Sequence, residues 1–443
     1  MKIIGNCSLV TLDETLPFLA NGAILEDNGK IISIAQTETL LKAFPDAEFI
    51  NMHNKLVIPG LLNTHMHLYS TFARGYGFSG ATPRTFVDIL KQIWWKLDRN
   101  LSTYDEIFYS ALVALLEGIK SGTTSIIDHH ASFGMVDGSL DILEEALNKT
   151  GVRGVLAYEV SDRWGVELAK QSILENVRFI KKEKDRNSVA ASFGLHASLT
   201  LSDYTLRLAK EYESSLNSGF HVHIAEGIED VEDSLERSGK RVLFRLNDFG
   251  ILGSKTLAVH CVHIDSKEIE ILRETETMVV HNPESNMNNA VGVPPVLEMD
   301  NEGIVVGLGT DGYTPSMLES VKVAYILPKL VYRDPQVGWK LAKKMLFENN
   351  SKIFSKFFRA PLGVIKEGAY ADFVALDYYP PTPLNSDNFF GHLIFGLRDS
   401  AVSSVFINGE AVLDNHKFTK FDEEEIMKKS MEVARTLWRK MES

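Results

Sequence analysis

Two histidines stand one residue apart in the stretch PGLLNTHMHL, which runs from Pro59 to Leu68. They follow an apolar run with strand character, and alternate residues of an extended segment point to the same side. His65 and His67 therefore project together, and two neutral imidazoles at that spacing can bind one metal ion. A chance pair at a solvated strand end has the same spacing, so the rest of the sequence must separate the two interpretations.

Reactive side chains also stand at the ends of other apolar runs. The runs are LVIPGLLNTHMH, TTSIIDHH, RGVLAYEV, SVAASFGLHA, SGFHVHIAE, TLAVHCVHI, TMVVHNPES and GIVVGLGTDG. In the second to the eighth run, the reactive side chains near the end are Asp128, His129, His130, Tyr158, Glu159, His196, His221, His223, Glu226, His260, His263, His281, Asn282 and Asp311. Chance would scatter imidazoles over helices and loops, so the clustering favours a metal site.

The elements between these runs predict how the chain brings them together. Amphipathic segments of helical character separate the runs, as in a parallel sheet covered on both faces. Eight such units in series predict an α/β fold, a (β/α)8 TIM barrel, over residues 57–360. The carboxyl ends of the strands then share one mouth, where a barrel builds its active site.

The two ends of the chain have a different pattern. Residues 1–56 and 361–415 alternate short strand candidates with turns, and we expect them to pair into one small β-sandwich domain. Residues 416–443 predict a C-terminal amphipathic helix that packs on the body of the protein.

Strand alternation sorts some of the clustered histidines. If His223 faces the barrel interior, His221 also points inward but deeper, which suits packing or support. His129 and His130 point to opposite faces, and we expect His130 to reach the mouth. Asp311 lies between glycines at the end of an apolar strand, where a buried carboxylate needs a cation or paired donors.

Composition restricts the partners of this chain. The 443 residues are 44% hydrophobic and 24% charged, with a net charge of −13 and no basic tract, so we expect no nucleic-acid partner. No apolar stretch is long enough to span a bilayer, and no signal-peptide core is present. Cys7 and Cys261 are too few for a disulfide framework and fit a cytoplasmic location.

At this point the chain resembles the amidohydrolase superfamily, in its cytosine-deaminase-like and chlorohydrolase branch. The resemblance covers nearly the full length and rests on PGLLNTHMH, HVHIAE, LAVHCVHI, HNPESNM, LGTDG and GVIKEGAYADFVALD, in that order. Within the branch, the segments DHHAS, YEVSDR and GLHASLTLSD look most like the SsnA-type aminohydrolases.

The resemblance implies one divalent metal ion, zinc or iron(II), bound by His65, His67, His223 and Asp311, with Glu226 and His260 as catalytic groups. Relatives with two metals carry a modified lysine at the end of strand four. Here that strand ends in Leu195, His196 and Ala197, and the nearest lysines, in KKEK, lie on the preceding helix. We therefore expect a mononuclear site of deaminase type.

A site of this kind predicts the roles of three side chains. The metal lowers the pKa of a bound water, and Asp311 also accepts a proton from that water. His260 orients the attacking oxygen. Glu226 protonates a ring nitrogen and then passes a proton to the departing amine. We therefore expect release of ammonia from a nitrogenous heterocycle of purine or pyrimidine type.

Some positions depart from the resembled pattern. Relatives that deaminate adenosine-like molecules carry an acidic residue shortly after the HxH segment, but GFSGATPRTFVDIL has no carboxylate before Asp88. Tyr158 and Glu159 occupy a place where those relatives have arginine, so we do not expect a nucleoside substrate. Asn288 and Asn289 replace a Lys-Leu pair. The candidate substrate contacts are Arg74, His130, Glu159, Arg163, Trp164 and His196.

Two other functions remain open on the sequence. The same site could hydrolyse a cyclic amide, another C–N bond or a C–Cl bond, with Glu226 protonating a different atom. A non-catalytic barrel acting as a binding subunit would be expected to have lost ligands, whereas every expected position is filled. By analogy with the resembled family, we also expect a homo-oligomer.

Overall fold

The computed structural model describes residues 1–77, 82–182 and 187–442. Its strands are β1 (Lys2–Val10), β2 (Phe18–Asp27), β3 (Lys30–Gln36), β4 (Glu48–Asn51), β5 (Leu56–Pro59), β6 (Leu61–Met66), β7 (Thr123–His130), β8 (Arg153–Tyr158), β9 (Val189–Ala191), β10 (Phe193–Ala197), β11 (Phe220–Ile224), β12 (Leu257–His260), β13 (Met278–His281), β14 (Val306–Leu308), β15 (Phe373–Leu376), β16 (Val402–Ile407), β17 (Glu410–Asp414) and β18 (Lys417–Phe418).

The α-helices fill most of the connections between these strands. They are α1 (Thr37–Ala43), α2 (Phe86–Ile89), α3 (Trp95–Asn100), α4 (Tyr104–Lys120), α5 (Ser139–Thr150), α6 (Val166–Lys182), α7 (Asp203–Glu213), α8 (Ile228–Ser238), α9 (Val242–Asp248), α10 (Ser266–Glu274), α11 (Pro283–Asn288), α12 (Val296–Asn301), α13 (Met317–Tyr332), α14 (Trp339–Lys343), α15 (Asn350–Phe354), α16 (Phe389–Phe395) and α17 (Glu423–Glu442). None of these described helices is both long and apolar enough to cross a membrane.

The central barrel is assembled from two parallel sheets, β6 to β9 and β10 to β14. The short strands β9 and β10 are interrupted at Ser192 and together make the fourth barrel strand. A parallel bridge between Val160 and Leu195 joins the sheets at one seam, and a second between Met66 and Asp311 joins them at the other. The predicted eight-stranded barrel is therefore confirmed, with the strand ends at one mouth.

The second seam depends on a glycine. The backbone N–H of Asp311 donates to the carbonyl of His65 at 3.0 Å, as does that of Thr310 at 2.9 Å. A Cβ at Gly309 would lie 2.8 Å from that same carbonyl oxygen and 2.5 Å from Asn282 Oδ1. Glycine in LGTDG therefore lets the last strand approach the first, which brings Asp311 beside His65.

The small domain is one sheet built from both ends of the chain. Its strand order is β18-β17-β16-β15-β5-β1-β2-β3, with β4 paired to β1. Two boundaries differ from the sequence prediction. Strand β5 pairs with β15 and β1, so the run LVIPGLLN is divided at Gly60 between the small sheet and the barrel. At the other end the sheet continues through Phe418, past the expected limit at residue 415.

The C-terminal helix α17 packs on the barrel. Val433, Leu437 and Met441 form its buried face, and the indole N–H of Trp438 donates to the carbonyl of Phe72 at 2.7 Å. Its apolar stripe is thus covered by the body of the protein.

A buried ion pair joins the amino-terminal end of the barrel to the small sheet. Arg153 Nε lies 2.6 Å from Asp372 Oδ2, and both side chains are at most 2% exposed. The guanidinium also lies over the ring of Tyr370, 3.7 Å from its centroid. Each buried charge therefore depends on the other for compensation.

We expect Asp372→Ala to lower the free energy of unfolding by about 3–5 kcal/mol, because it leaves the Arg153 charge buried and unpaired. Glu302→Ala is the matched control, since its partner Arg273 is about half exposed, and should cost less than about 1 kcal/mol. Urea unfolding of both variants measures the difference. Equal losses would contradict the coupling inferred here.

Candidate metal centre and substrate pocket

Four side chains from distant parts of the sequence meet at the mouth of the barrel. His67 Nε2 lies 3.1 Å from Asp311 Oδ1 and 3.3 Å from His223 Nε2. His65 Nε2 lies 3.7 Å from the same Asp311 oxygen. These residues, which the family resemblance implied as ligands, are all buried.

The other ring nitrogen of each histidine is already engaged. Nδ1 of His67 lies 2.6 Å from the carbonyl oxygen of His129, and Nδ1 of His223 lies 2.9 Å from that of His196. Carbonyl oxygens only accept, so each Nδ1 carries the proton and donates it. Nδ1 of His65 lies 2.8 Å from Nε2 of His221, which gives His221 the supporting role expected of it. The neutral rings of His67 and His223 therefore turn Nε2 lone pairs toward each other.

Such an arrangement requires a positive charge between the lone pairs. Burial opposes a proton on His67, but Asp311 outweighs it and raises the pKa of His67 to about 9. A single proton on His67 would still leave Nε2 of His65 without a hydrogen-bond partner among the described residues. One divalent cation would satisfy every one of these atoms.

The distances fit a cation as well. Ligands at 2.0–2.2 Å in tetrahedral geometry lie roughly 3.3–3.5 Å from one another, and the observed separations of 3.1, 3.3 and 3.7 Å bracket that range. One possible set of ligand atoms comes from His65, His67 and His223, which lie within 4.8 Å of one another. A second set, from His65, His260 and Asp311, meets the same limit. Imidazole and carboxylate ligands suit zinc and iron(II) alike.

Two further groups face this cluster. His260 Nε2 lies 3.4 Å from Glu226 Oε2 and 3.5 Å from Asp311 Oδ2. The carboxyls on either side of His260 have differently shifted pKa values. Burial and the nearby charge of Asp311 raise the pKa of Glu226 well above its ordinary value. Burial also opposes ionisation of Asp311, but the neighbouring His65 and His67 outweigh it and hold the pKa of Asp311 well below its ordinary value. The pKa values of the two carboxyls are thus shifted in opposite directions.

A pocket that is partly open to solvent lies over this cluster. Among the predicted substrate contacts, Glu159, Arg163 and His196 line it. Arg163 bridges two buried carboxylates, Asp98 and Glu159, and lies 2.6 Å from Glu159 Oε1. Burial would raise the pKa of Glu159, but the charges of His196 and Arg163 hold it well below its ordinary value.

The structure does not place His130 at the pocket. His130 Nε2 lies 2.9 Å from Ser132 Oγ, and its ring packs near Tyr158, outside the residues that line the pocket. His129 points inward instead, with Nδ1 3.4 Å from Glu159 Oε2 and its ring beside that of His223. The two histidines thus take opposite faces of the strand, and it is His129 that lies beside a proposed metal ligand.

Arg74 and Trp164 also lie away from the residues lining the pocket. Arg74 forms two hydrogen bonds with Glu117, at 2.6 and 2.7 Å, beside a separate hollow on the surface. Trp164 is 36% exposed and stacks its ring against Arg99. The structure therefore does not place either side chain as a substrate contact.

The sequence analysis missed most of the pocket wall. The missed residues include Tyr69, Phe86, Leu90, Trp94, Trp95, Asp98, Ser285 and Tyr313. Trp94 and Asp98 stand four residues apart, a helical spacing that was a usable signal for one shared face. Parts of two segments considered above, residues 78–81 of GFSGATPRTFVDIL and Lys184 of KKEK, lie outside the described residues.

Comparisons with known proteins agree with this geometry. A model of the amidohydrolase family matches residues 56–412. A 5'-deoxyadenosine deaminase of Methanopyrus kandleri is 31% identical over 94% of this chain and 95% of its own length. A 5-methylthioadenosine/S-adenosylhomocysteine deaminase of Syntrophomonas wolfei is 30% identical, covering 98% and 99%. The crystal structure of an adenosine deaminase from Xanthomonas campestris with bound zinc superposes with a TM-score of 0.86, covering 98% of each chain, but its 21% identity supports the fold alone.

We expect the purified protein to contain one divalent metal ion per chain. His223→Ala and Asp311→Ala each remove a proposed ligand and should lower metal content at least about tenfold. His130→Ala should leave it unchanged, since that ring faces Ser132. Inductively coupled plasma mass spectrometry of the three variants measures this. Full metal content in His223→Ala would exclude the site.

Proposed function

Because the chain belongs to the amidohydrolase family, we propose that it is a metal-dependent aminohydrolase. It replaces an amino group of a nitrogenous heterocycle with oxygen and releases ammonia. The observation that carries the proposal is the position of Glu226 and Asp311 on either side of His260, beside three convergent imidazoles, with the pKa values of the two carboxyls shifted in opposite directions.

The metal ion, held by the three imidazoles and Asp311, would polarise a water molecule and lower its pKa toward neutrality. The protein supplies the proton transfers. Asp311 accepts a proton from the attacking water at its carboxylate. His260 Nε2 lies within 3.5 Å of both carboxyls and is placed to orient the attacking oxygen. Glu226 donates its proton to a ring nitrogen, takes up the hydroxyl proton of the resulting adduct and transfers it to the departing amine, and the proton that Asp311 accepted then returns to Glu226.

The raised pKa of Glu226 favours deamination over cleavage of a C–Cl bond. An amine must be protonated before it leaves, whereas chloride leaves as a stable anion without a proton. A buried carboxyl whose pKa is raised well above its ordinary value is suited to the first task. Cleavage of a C–Cl bond is therefore the weaker proposal for this site, whereas cleavage of a cyclic amide, whose leaving nitrogen also needs a proton, stays the second candidate.

We also propose an adenine-type base as substrate, on the names of the relatives from Methanopyrus kandleri and Syntrophomonas wolfei. A nucleoside was not expected from the sequence, because no carboxylate stands before Asp88 and because Tyr158 and Glu159 occupy the place of an arginine. Asp98 supplies a carboxylate to the pocket wall instead. The rings of Trp94, Trp95 and Tyr69 give the same wall an apolar surface against which a flat base can stack.

The wall also carries polar atoms without partners. Three buried atoms of the wall make no hydrogen bond among the described residues: Asp98 Oδ1, Arg163 Nε and Arg163 Nη1. Both side chains are more than nine-tenths buried. Buried polar atoms left unpaired are costly, so a bound ligand is expected to pair with them. We propose that Asp98 accepts from a donor on the substrate while Arg163 donates to an acceptor.

We further propose a cytoplasmic, homo-oligomeric enzyme. Cys7 and Cys261 are both buried free thiols, which suits a reducing compartment. Ile326, Leu330 and Phe395 are more than half exposed, which suits a contact between copies of the chain.

We expect the metal-loaded protein to release ammonia from 5'-deoxyadenosine or a related aminopurine compound. Glu226→Gln removes the proton donor while keeping the shape, and should lower kcat about 10²–10⁴-fold with metal content and Tm retained. A coupled ammonia assay measures the rate. No ammonia from any aminopurine, aminopyrimidine or pterin, with turnover of a ring amide, would overturn the deaminase assignment.

We expect Asp98→Asn to raise KM about ten- to a hundredfold with a smaller change in kcat, because it removes a charged acceptor, worth about 1.5–3 kcal/mol, from the pocket wall. Arg74→Ala is the control, since Arg74 lies in a different hollow. Steady-state kinetics with one substrate compares the two variants. An unchanged KM in Asp98→Asn would show that Asp98 does not contact substrate.

A further inference from the structure

One short helix contacts all three proposed catalytic groups. Helix α11 and the next residue, Asn289, follow strand β13 and lie against the mouth of the barrel. The three contacts are Ser285 Oγ to Asp311 Oδ2 at 2.7 Å, Asn286 Oδ1 to His260 Nδ1 at 2.8 Å and Asn289 Nδ2 to Glu226 Oε1 at 3.3 Å. The proposed reaction assigns no chemical step to Ser285, Asn286 or Asn289.

The Asn286 contact sets the proton on His260. An amide oxygen only accepts, so His260 Nδ1 carries the proton and donates it. The lone pair of His260 therefore lies on Nε2, which faces Glu226 Oε2 and Asp311 Oδ2. His260 is fully buried, so this tautomer is fixed by the helix and not by solvent.

The orientation of the Asn289 amide follows from its neighbours. Ser285 has one hydroxyl proton, and it is donated to Asp311 Oδ2 at 2.7 Å. The oxygen of Ser285 therefore accepts, and Asn289 Nδ2, 3.4 Å away, is the donor. Asn288 Nδ2 donates to Asn289 Oδ1 from the other side. Both contacts place the NH₂ group of Asn289 toward Ser285 and Glu226.

That orientation decides which oxygen of Glu226 holds the acidic proton. Asn289 donates to Oε1, so Oε1 is an acceptor and the proton of the neutral carboxyl lies on Oε2. Oε2 is the oxygen that faces His260 and Asp311. Without Asn289 the carboxyl could rotate, or place its proton on the oxygen remote from the reacting atoms.

We propose that Asn289 is a positioning residue that directs the acidic proton of Glu226 toward the reacting heterocycle. The inference rests on the proposed function, because it acts through the proton that Glu226 delivers. Ser285 links the same amide to Asp311, so a single side chain connects the proton donor to the proton acceptor. Asn289 also lines the pocket, so a direct contact with substrate is the competing explanation.

The test uses the metal-loaded protein with 5'-deoxyadenosine and the variants Asn289→Ala, Asn289→Asp and Met287→Ala. Met287 lies on the same helix but is half exposed and outside the pocket lining, so it is the control. We expect kcat to fall about tenfold in Asn289→Ala, consistent with partial loss of general acid catalysis, with KM, metal content and Tm unchanged. The solvent deuterium isotope effect on kcat should rise, because proton delivery becomes slower.

The isosteric variant gives the sharper result. Asn289→Asp places an acceptor where the donor was, which draws the proton of Glu226 onto Oε1, so its kcat should fall below that of Asn289→Ala. A rise in KM alone would mean that Asn289 binds substrate, and unchanged kcat in both variants would overturn the proposal. A parallel loss of metal or Tm would mean a structural role, and would overturn it also.

Crystal structures of the metal-loaded wild type and Asn289→Ala provide a readout without turnover. We expect Glu226 Oε2 to leave its place beside His260 Nε2 in the variant and to keep it in Met287→Ala. An unmoved carboxyl in Asn289→Ala would contradict the positioning role. If the wild type releases no ammonia, the proposed function fails, whereas the crystal comparison still decides what Asn289 holds in place.

Discussion

Imidazole nitrogens that converge in a buried site are the constraint on which this structure depends. His67 and His223 both donate from Nδ1 to backbone carbonyls, so their Nε2 atoms, 3.3 Å apart, are the ones left to bind a cation. Such an arrangement is repulsive unless a cation lies between the rings. The fold enforces this arrangement, because each carbonyl lies on the barrel strand next to the strand that carries or precedes its histidine. The metal site is therefore a property of the barrel backbone as much as of the ligands.

Two carboxyls of the site have pKa values shifted in opposite directions. Burial opposes the ionisation of both, but His65 and His67 hold the pKa of Asp311 well below its ordinary value, whereas burial and the charge of Asp311 raise the pKa of Glu226. The two groups lie on either side of one imidazole, within 3.5 Å of it. A pair of like groups with opposite protonation is what proton transfer in both directions requires. The reaction proposed here follows from that contrast more than from any single residue.

The barrel could be predicted from the sequence, because buried parallel strands are continuous apolar runs and their ends converge. The strand ends only narrowed the candidates for a metal site, and the set of four proposed ligands came from the family resemblance. The split of LVIPGLLN at Gly60 could not be predicted, because one apolar run served two sheets. Strand alternation placed His129 and His130 on opposite faces but did not show which of them faces the interior. Asp98 was missed because the helical segment between strands β6 and β7 reaches the pocket only through tertiary packing. Reactive side chains at strand ends were thus easier to predict than side chains on the longer connections.

The backbone at the mouth also carries strain that the rest of the fold must offset. Ala225, His260 and Asp311 adopt left-handed conformations with φ of 48°, 73° and 58°, at a cost on the order of 1–3 kcal/mol each. All three follow or end barrel strands, where the chain turns sharply to aim a side chain inward. The seam at His65, whose carbonyl accepts from the N–H of Asp311, holds one of these turns in place. A cation bound to Asp311 and His65 would act on the same seam, so occupancy of the site and closure of the barrel stabilise each other.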